Sequence, residues 1–173
     1  IPSHWHNSPP QQTPPWFSNA GFFREGAKLL VQTMNTTLHA PARIAAARLA
    51  LGAPFKHQGR DLNGLDCAGL LIWAVRQHGI EPADMDAYSR HALGGKLVEM
   101  LECQPFLRRA GRPPQAGDVL VMRFEKEPQH LALCAGETVI HSYETVGQVC
   151  EHRLDQQWRN RILRVYEFVE VSP

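Results

Sequence analysis

The dipeptide Pro113-Pro114 divides this sequence into two regimes of hydrophobic periodicity. Two consecutive prolines remove two backbone donors and fix two φ angles, so neither a helix nor a central strand can run through them. Before this point the apolar residues recur at helical spacing. From Pro41, a suitable first-turn residue, Ile44, Ala47, Arg48 and Leu51 follow one face until Gly52. A second helix is predicted from Asp66 to Gln77, ending before Gly79, and a third from about Ser89 to Leu101, weakened by Gly94-Gly95. After the prolines the pattern is extended, with strands predicted at Asp118–Phe124, His130–Ala135, Thr138–Tyr143, Gly147–His152 and Ile162–Val171. A helical turn at Asp155–Trp158 interrupts the last two. Helices first and antiparallel strands afterwards define an α+β fold rather than alternating α/β.

The chain of 173 residues is long enough for one domain with a real core. With a formal net charge of +1 it carries no global field that would favour nucleic acid or an anionic surface. The late arginines (Arg153, Arg159, Arg161, Arg164) are interrupted by Glu151 and Asp155 and read as a solvated face. No apolar run reaches the ~18 residues needed to span a bilayer, and no basic stretch followed by an apolar one marks a secretion signal. The four cysteines include no CxxC pair, which argues against a zinc ribbon or redox pair, and free thiols are expected, with a Cys134–Cys150 bridge as the alternative.

Residues 1–33 differ from the rest, with five prolines between Ile1 and Trp16. Two readings stand. One makes them an appended or read-through arm before a natural start at Met34, leaving a domain over 34–173; the other makes them a genuine extension that packs on that domain.

The chemistry concentrates at Gly64-Leu65-Asp66-Cys67-Ala68-Gly69-Leu70-Leu71. Turn residues lead straight into an apolar helix, with Asp66 as N-cap and Cys67 in the first turn. Unpaired amides and the positive end of the helix dipole are expected to lower the cysteine pKa and to hold an oxyanion. Placed elsewhere, such a cysteine would be a small buried hydrophobe. Its partners come from a hairpin. With Gly136-Glu137 as a two-residue turn, Ala135 pairs with Thr138, Ala132 with His141 and His130 with Tyr143. Alternation then places His130, Ala132 and Cys134 on one face with Val139, His141 and Tyr143. The two histidines become diagonal neighbours roughly 7–8 Å apart at the backbone, within reach of an imidazole–imidazole hydrogen bond. A nucleophile, a base and a polar group orienting the base make a triad. His57, on the loop before Cys67, is a lesser candidate for substrate contact, and the remaining histidines lack comparable context.

These segments together resemble the NlpC/p60 group of papain-like cysteine peptidases, which cut bacterial cell-wall peptides. The matching pieces are Gly52-Ala53-Pro54-Phe55, Gly64 to Leu70, Gly117-Asp118-Val119-Leu120, His130-Leu131-Ala132-Leu133 and Ile140-His141, in order and spacing over about Ala42 to Val169. The resemblance implies a nucleophile helix packed on an antiparallel sheet, Cys67 as nucleophile, His130 as base and then acid, and His141 as third member. It implies no cofactor and a peptidoglycan stem-peptide amide as substrate, at the junction of D-Glu with the diamino acid. Substrate contacts fall to Asp66, Phe55 and Tyr143, with Asp66 meeting a substrate amine or serving only as a cap. The segment from Ile140 to Phe168 is most similar to short peptidases encoded with phage tails, which implies action at the cell wall, in the periplasm or in a tail, with tail proteins as partners. Two positions depart from the family pattern: Phe55 stands for a tyrosine and Ala68 for a serine, which removes two hydroxyls while leaving the triad whole. Rival readings are an esterase or thioesterase with the same triad, a non-catalytic tail or wall-binding component, and, more remotely, a zinc site at Cys67, His130 and His141. A catalytic Cys67 is expected to react with iodoacetamide at pH 6 far faster than Cys103, Cys134 or Cys150.

Overall fold

Two layers, helices and a six-stranded antiparallel sheet, are set by the alternation of the strands. The computed structural model describes residues 39–84, 88, 95–124 and 128–169. The proline-rich arm, the Met34 boundary, the beginning of the predicted third helix and residues 170 and 171 of the last predicted strand lie outside them. Helix α1 spans Ala40–Leu49, with a proline in its first turn as expected, and the chain leaves it through Gly52 at φ +83°. A tight loop holds the two-residue strands β1 (Arg60–Asp61) and β2 (Gly64–Leu65). Helix α2, Cys67–Arg76, follows at once. Helix α3, Lys96–Glu102, starts after Gly95 at φ +81°. Gly95 thus begins a helix where the sequence suggested a weakened interior.

The sheet comprises β3 (Leu107–Arg109), β4 (Val119–Arg123), β5 (Pro128–Cys134), β6 (Thr138–Tyr143), β7 (Gln148–Arg153) and β8 (Ile162–Phe168), in the order β3-β8-β4-β5-β6-β7. Short helix α4, Gln156–Arg159, precedes β8, and Asp155 caps it by accepting the Trp158 N–H at 3.0 Å. The expected hairpin register holds where β5 and β6 are paired: Leu133 faces Ile140, Cys134 faces Val139, and the Ala135 N–H donates to the Thr138 carbonyl at 2.9 Å.

Period-2 alternation sorts the sheet into two cores. Val119, Val121, Leu131, Leu133 and Ile140 join Ala47, Ala68, Leu70 and Leu97 of the helices in the larger one. Leu120, Met122, Ala132, Cys134, Val139, Leu154 and Val165 form the second, covered by Trp158 and Ile162. Nearly all of α2 is buried, including Leu70 at 0% exposure, and each such leucine contributes about 2 kcal/mol of apolar burial. That burial holds α2 against the sheet. All four cysteines are free thiols. Among the described residues no helix is long and apolar enough to cross a membrane.

Candidate active site

The start of α2 is built around Asp66. Its side chain accepts the Gly69 N–H at 2.7 Å and its carbonyl accepts the Leu70 N–H at 2.9 Å. The Leu70 bond is the first of the helix itself; of the four amides that a helix N-terminus leaves without intrahelical partners, Gly69 is satisfied by the Asp66 side chain. The backbone N–H groups of Cys67 and Ala68, with that of Leu131 from strand β5, favour the Cys67 thiolate. Three backbone amides thus act on one thiol, and the third belongs to the residue next to His130.

The close seating of α2 on the preceding loop explains the glycine at position 69. A Cβ there would lie 1.9 Å from the Gly59 carbonyl oxygen. This packing also closes the site toward the core. Burial and the nearby Asp66 charge push the Cys67 thiol up to about 12, outweighing the three amides that favour the thiolate. The pKa lowering expected from the helix terminus alone is therefore overturned: the dipole and amides are present, but desolvation is larger.

His130 and His141 meet as the hairpin register requires. His130 Nε2 lies 2.7 Å from His141 Nδ1, with both rings buried. Burial first, then the neighbouring His141 and His152, hold His130 well below its ordinary value. Burial, with His152, lowers His141 to about 3. Both rings are accordingly neutral at pH 7. With Nε2 of His130 engaged by His141, its Nδ1 is the nitrogen available to a thiol.

Cys67 and His130 line one cleft of about 270 Å³, along with Phe55, Asp66, Tyr88 and Tyr143. His141 stands behind His130, its ring stacked on Tyr143 at a centroid distance of 5.2 Å. Tyr143 in turn stacks on Phe124 at 5.4 Å, giving the cleft an aromatic wall. His57 also lines it and lies 3.0 Å from the Tyr88 carbonyl through Nε2.

Asp66 is more fully engaged than a free substrate-binding carboxylate. Besides Gly69 it accepts from the Gln58 N–H at 2.7 Å, from Arg60 at 3.2 Å and from the Tyr88 hydroxyl. It is 3% exposed. Four donors occupy its two oxygens, so the geometry favours the cap over the contact with a substrate amine. Arg60 also clamps Asp84 through two bonds of 2.7 and 2.9 Å and reaches the Tyr88 hydroxyl at 3.1 Å.

Several residues enter the site that the sequence did not single out, Tyr88 and His152 among them. Tyr88 belongs to a segment without recognisable pattern. His152, by contrast, lies on β7 opposite Val139, and its Nε2 is 2.9 Å from Nε2 of His141. Its other nitrogen, Nδ1, lies 2.9 Å from the Arg153 carbonyl oxygen. Among the described residues no group of three or more His, Cys, Asp or Glu side chains is arranged to hold a metal ion.

Comparison with known proteins follows the same outline. The model of the NlpC/P60 family matches residues 52–167, two thirds of the chain. Probable endopeptidases of Mycobacterium bovis and Mycobacterium tuberculosis are 30% identical over 106 residues, covering 61% of this chain and 24% of theirs. The matched region thus spans about a quarter of the length of these curated relatives. Among solved structures, the NlpC/p60 domain of the peptidoglycan hydrolase SagA aligns with a TM-score of 0.55 at 20% identity, covering 75% of this chain and 98% of that one. The peptidoglycan hydrolase RipB of Mycobacterium tuberculosis aligns with a TM-score of 0.53 at 17% identity, covering 76% and 65%.

Proposed function

The chain belongs to the NlpC/P60 family, and from that premise we propose that it is a cysteine peptidase that hydrolyses amide bonds in peptidoglycan stem peptides. The observation that carries the cysteine mechanism is the shared cleft. Cys67 opens onto it beside three backbone amides that favour its thiolate, and His130 opens onto it with Nε2 held by His141.

In this mechanism the resting thiol and imidazole are both neutral. When the substrate carbonyl approaches, the Cys67 sulfur attacks it while His130 Nδ1 takes the thiol proton. The orphan amides at the helix start supply hydrogen bonds to the negative charge that forms. His130 then returns its proton to the leaving amine, which breaks the C–N bond and leaves a thioester on Cys67. Water activated by His130 attacks that thioester, releasing the acid and restoring the thiol. His141 orients His130 and accepts its Nε2–H while the ring is charged.

Substrate contacts are assigned to Phe55 and Tyr143 on the cleft wall, with Asp66 holding the frame that presents Cys67. The catalytic domain in this reading covers residues 34–173. The finer settings, cleavage between D-Glu and the diamino acid and association with a phage tail, are supported by the resemblance of the motifs alone. Digestion of defined stem peptides by wild type and Cys67→Ala, read by mass spectrometry, tests the proposal. Cleavage at one amide by the wild type and none by the variant is expected; equal cleavage by both removes Cys67 as nucleophile. Hydrolysis of short aryl esters without any cleavage of muropeptides would instead favour an esterase.

A further inference from the structure

The third imidazole, His152, lies outside the proposed triad. His152 stands at the end of a line of hydrogen-bonding atoms that runs from the cleft across three successive strands. The line passes from His130 Nε2 to His141 Nδ1 at 2.7 Å, from His141 Nε2 to His152 Nε2 at 2.9 Å, and from His152 Nδ1 to the Arg153 carbonyl at 2.9 Å. Trp158 packs against both rear rings, with centroid distances of 4.5 Å to His152 and 5.1 Å to His141.

A carbonyl oxygen can only accept, so the final bond requires a proton on His152 Nδ1. With that proton on Nδ1, Nε2 of His152 is left as the acceptor, which requires a proton on His141 Nε2. That leaves His141 Nδ1 bare and places a proton on His130 Nε2. The last consequence is a bare Nδ1 on His130, the form a base needs toward the thiol. Reversing any one link reverses those ahead of it and points an N–H at the sulfur.

We propose that His152 is a positioning residue: anchored on the Arg153 carbonyl, it fixes the tautomers of His141 and His130 so that His130 offers a lone pair to Cys67. The inference rests on the proposed function for its catalytic meaning, although the proton pattern itself can be measured without any substrate.

The experiment is a long-range 1H–15N correlation spectrum of the labelled full chain at pH 7.5, which reports which nitrogen of each ring bears hydrogen. Protons on His152 Nδ1, His141 Nε2 and His130 Nε2 are expected. A proton on His152 Nε2 or on His141 Nδ1 overturns the proposal. Two substitutions then drive the pattern in opposite directions. His152→Glu offers only acceptors and should keep the His141 and His130 tautomers, with kcat within about threefold of wild type. His152→Lys offers only donors and should reverse both tautomers, lowering kcat by about a hundredfold, within the 10²–10⁴ range that a general base contributes. KM should change little in either, because His152 does not line the cleft. An unchanged tautomer pattern in His152→Lys, or equal loss of kcat in both variants, also counts against it. The spectrum of the wild type stands even where a variant folds poorly. A correct proton pattern in a protein that leaves stem peptides intact would refute the peptidase assignment while leaving the proton chain in place.

Discussion

The Ser142 hydroxyl donates a 2.6 Å hydrogen bond to the Leu65 carbonyl, and both residues are fully buried. Ser142 follows His141 and Leu65 comes two residues before Cys67, so this bond ties the histidine strand to the entry of the nucleophile helix. Ser142→Ala should destabilise the fold by about 1 kcal/mol, the net value of one buried hydrogen bond. The Leu65 carbonyl would keep its bond from the Lys56 N–H at 3.1 Å, which limits the loss. Denaturant unfolding measures the first effect. Peptide cleavage should fall severalfold beyond what the folded fraction explains, and unaltered cleavage would show that the bond has no role in alignment.

Glycine at position 69 is required by contact rather than by φ. An alanine methyl would overlap the Gly59 carbonyl, and either the loop or the helix would have to shift. Gly69→Ala should cost about 1–3 kcal/mol, as overpacked cores do, and should depress activity by moving Cys67. Thermal unfolding with a parallel activity assay checks both. A stable but inactive variant would isolate the displacement.

Replacing Asp66 separates a cap from a ligand. Asp66→Ala removes one acceptor shared by Gly69, Gln58, Arg60 and Tyr88, and should cost about 2–4 kcal/mol, since it uncaps a helix terminus and leaves the Gln58 N–H and the Tyr88 hydroxyl without their acceptor, while Arg60 keeps Asp84. Steady-state kinetics on the folded fraction should show kcat falling more than KM rises. A large rise in KM alone, with stability intact, would restore the contact with a substrate amine.

The buried histidines make stability depend on pH in a definite direction. His141 is lowered to about 3 and His130 lies well below 6.5, whereas in the unfolded chain both take up protons near 6.5. Below pH 6.5 the unfolded state therefore binds more protons, and stability falls with pH through the window down to about 3. The slope should approach about 1.4 kcal/mol per pH unit for each buried ring. Urea titrations at pH 7.5, 5.5 and 4.5 measure it, and His141→Asn should flatten it. Equal midpoints at all three values would contradict neutral burial.

The same desolvation bears on thiol labelling. With Cys67 pushed up to about 12, little thiolate is present at pH 6, so iodoacetamide should modify exposed Cys103 first, the reverse of the order expected from the helix terminus alone. Timed labelling with mass spectrometry ranks the four cysteines. Faster modification of Cys67 at pH 6 would indicate a resting ion pair with His130.

The sequence carried the layers and the hairpin face because both follow from periodicity. Thr138–Tyr143 forms a strand over the predicted residues, and α2 differs from its prediction only in that Asp66 and Gln77 act as caps. Strand β3 was not legible: three residues on a sheet edge, none buried, show no alternation. The strands β1 and β2 were hidden in a loop for the same reason of length. His152 could have been found by carrying the pleat argument across one more hairpin, since its partner Val139 was already placed on the histidine face. Tyr88 could not, because it reaches Asp66 from 22 residues away through a segment without periodicity. The direction of the Cys67 shift was also beyond a sequence argument: the helix terminus is local, but the burial that outweighs it comes from the whole sheet.

Each of the three imidazoles is supplied by a different strand, β5, β6 and β7, so each ring-to-ring step spans a hairpin whose connection passes through a left-handed glycine, Gly136 at φ +91° and Gly147 at φ +80°. Proton order at the cleft is consequently coupled to the lengths of two distant surface turns. A change in either one that slips the pairing by a single residue, though far from any bound peptide, would turn the rest of a strand inside out and pull the rings apart. In engineering terms, grafting or splicing at these reverse turns has to preserve the register of the strands they join.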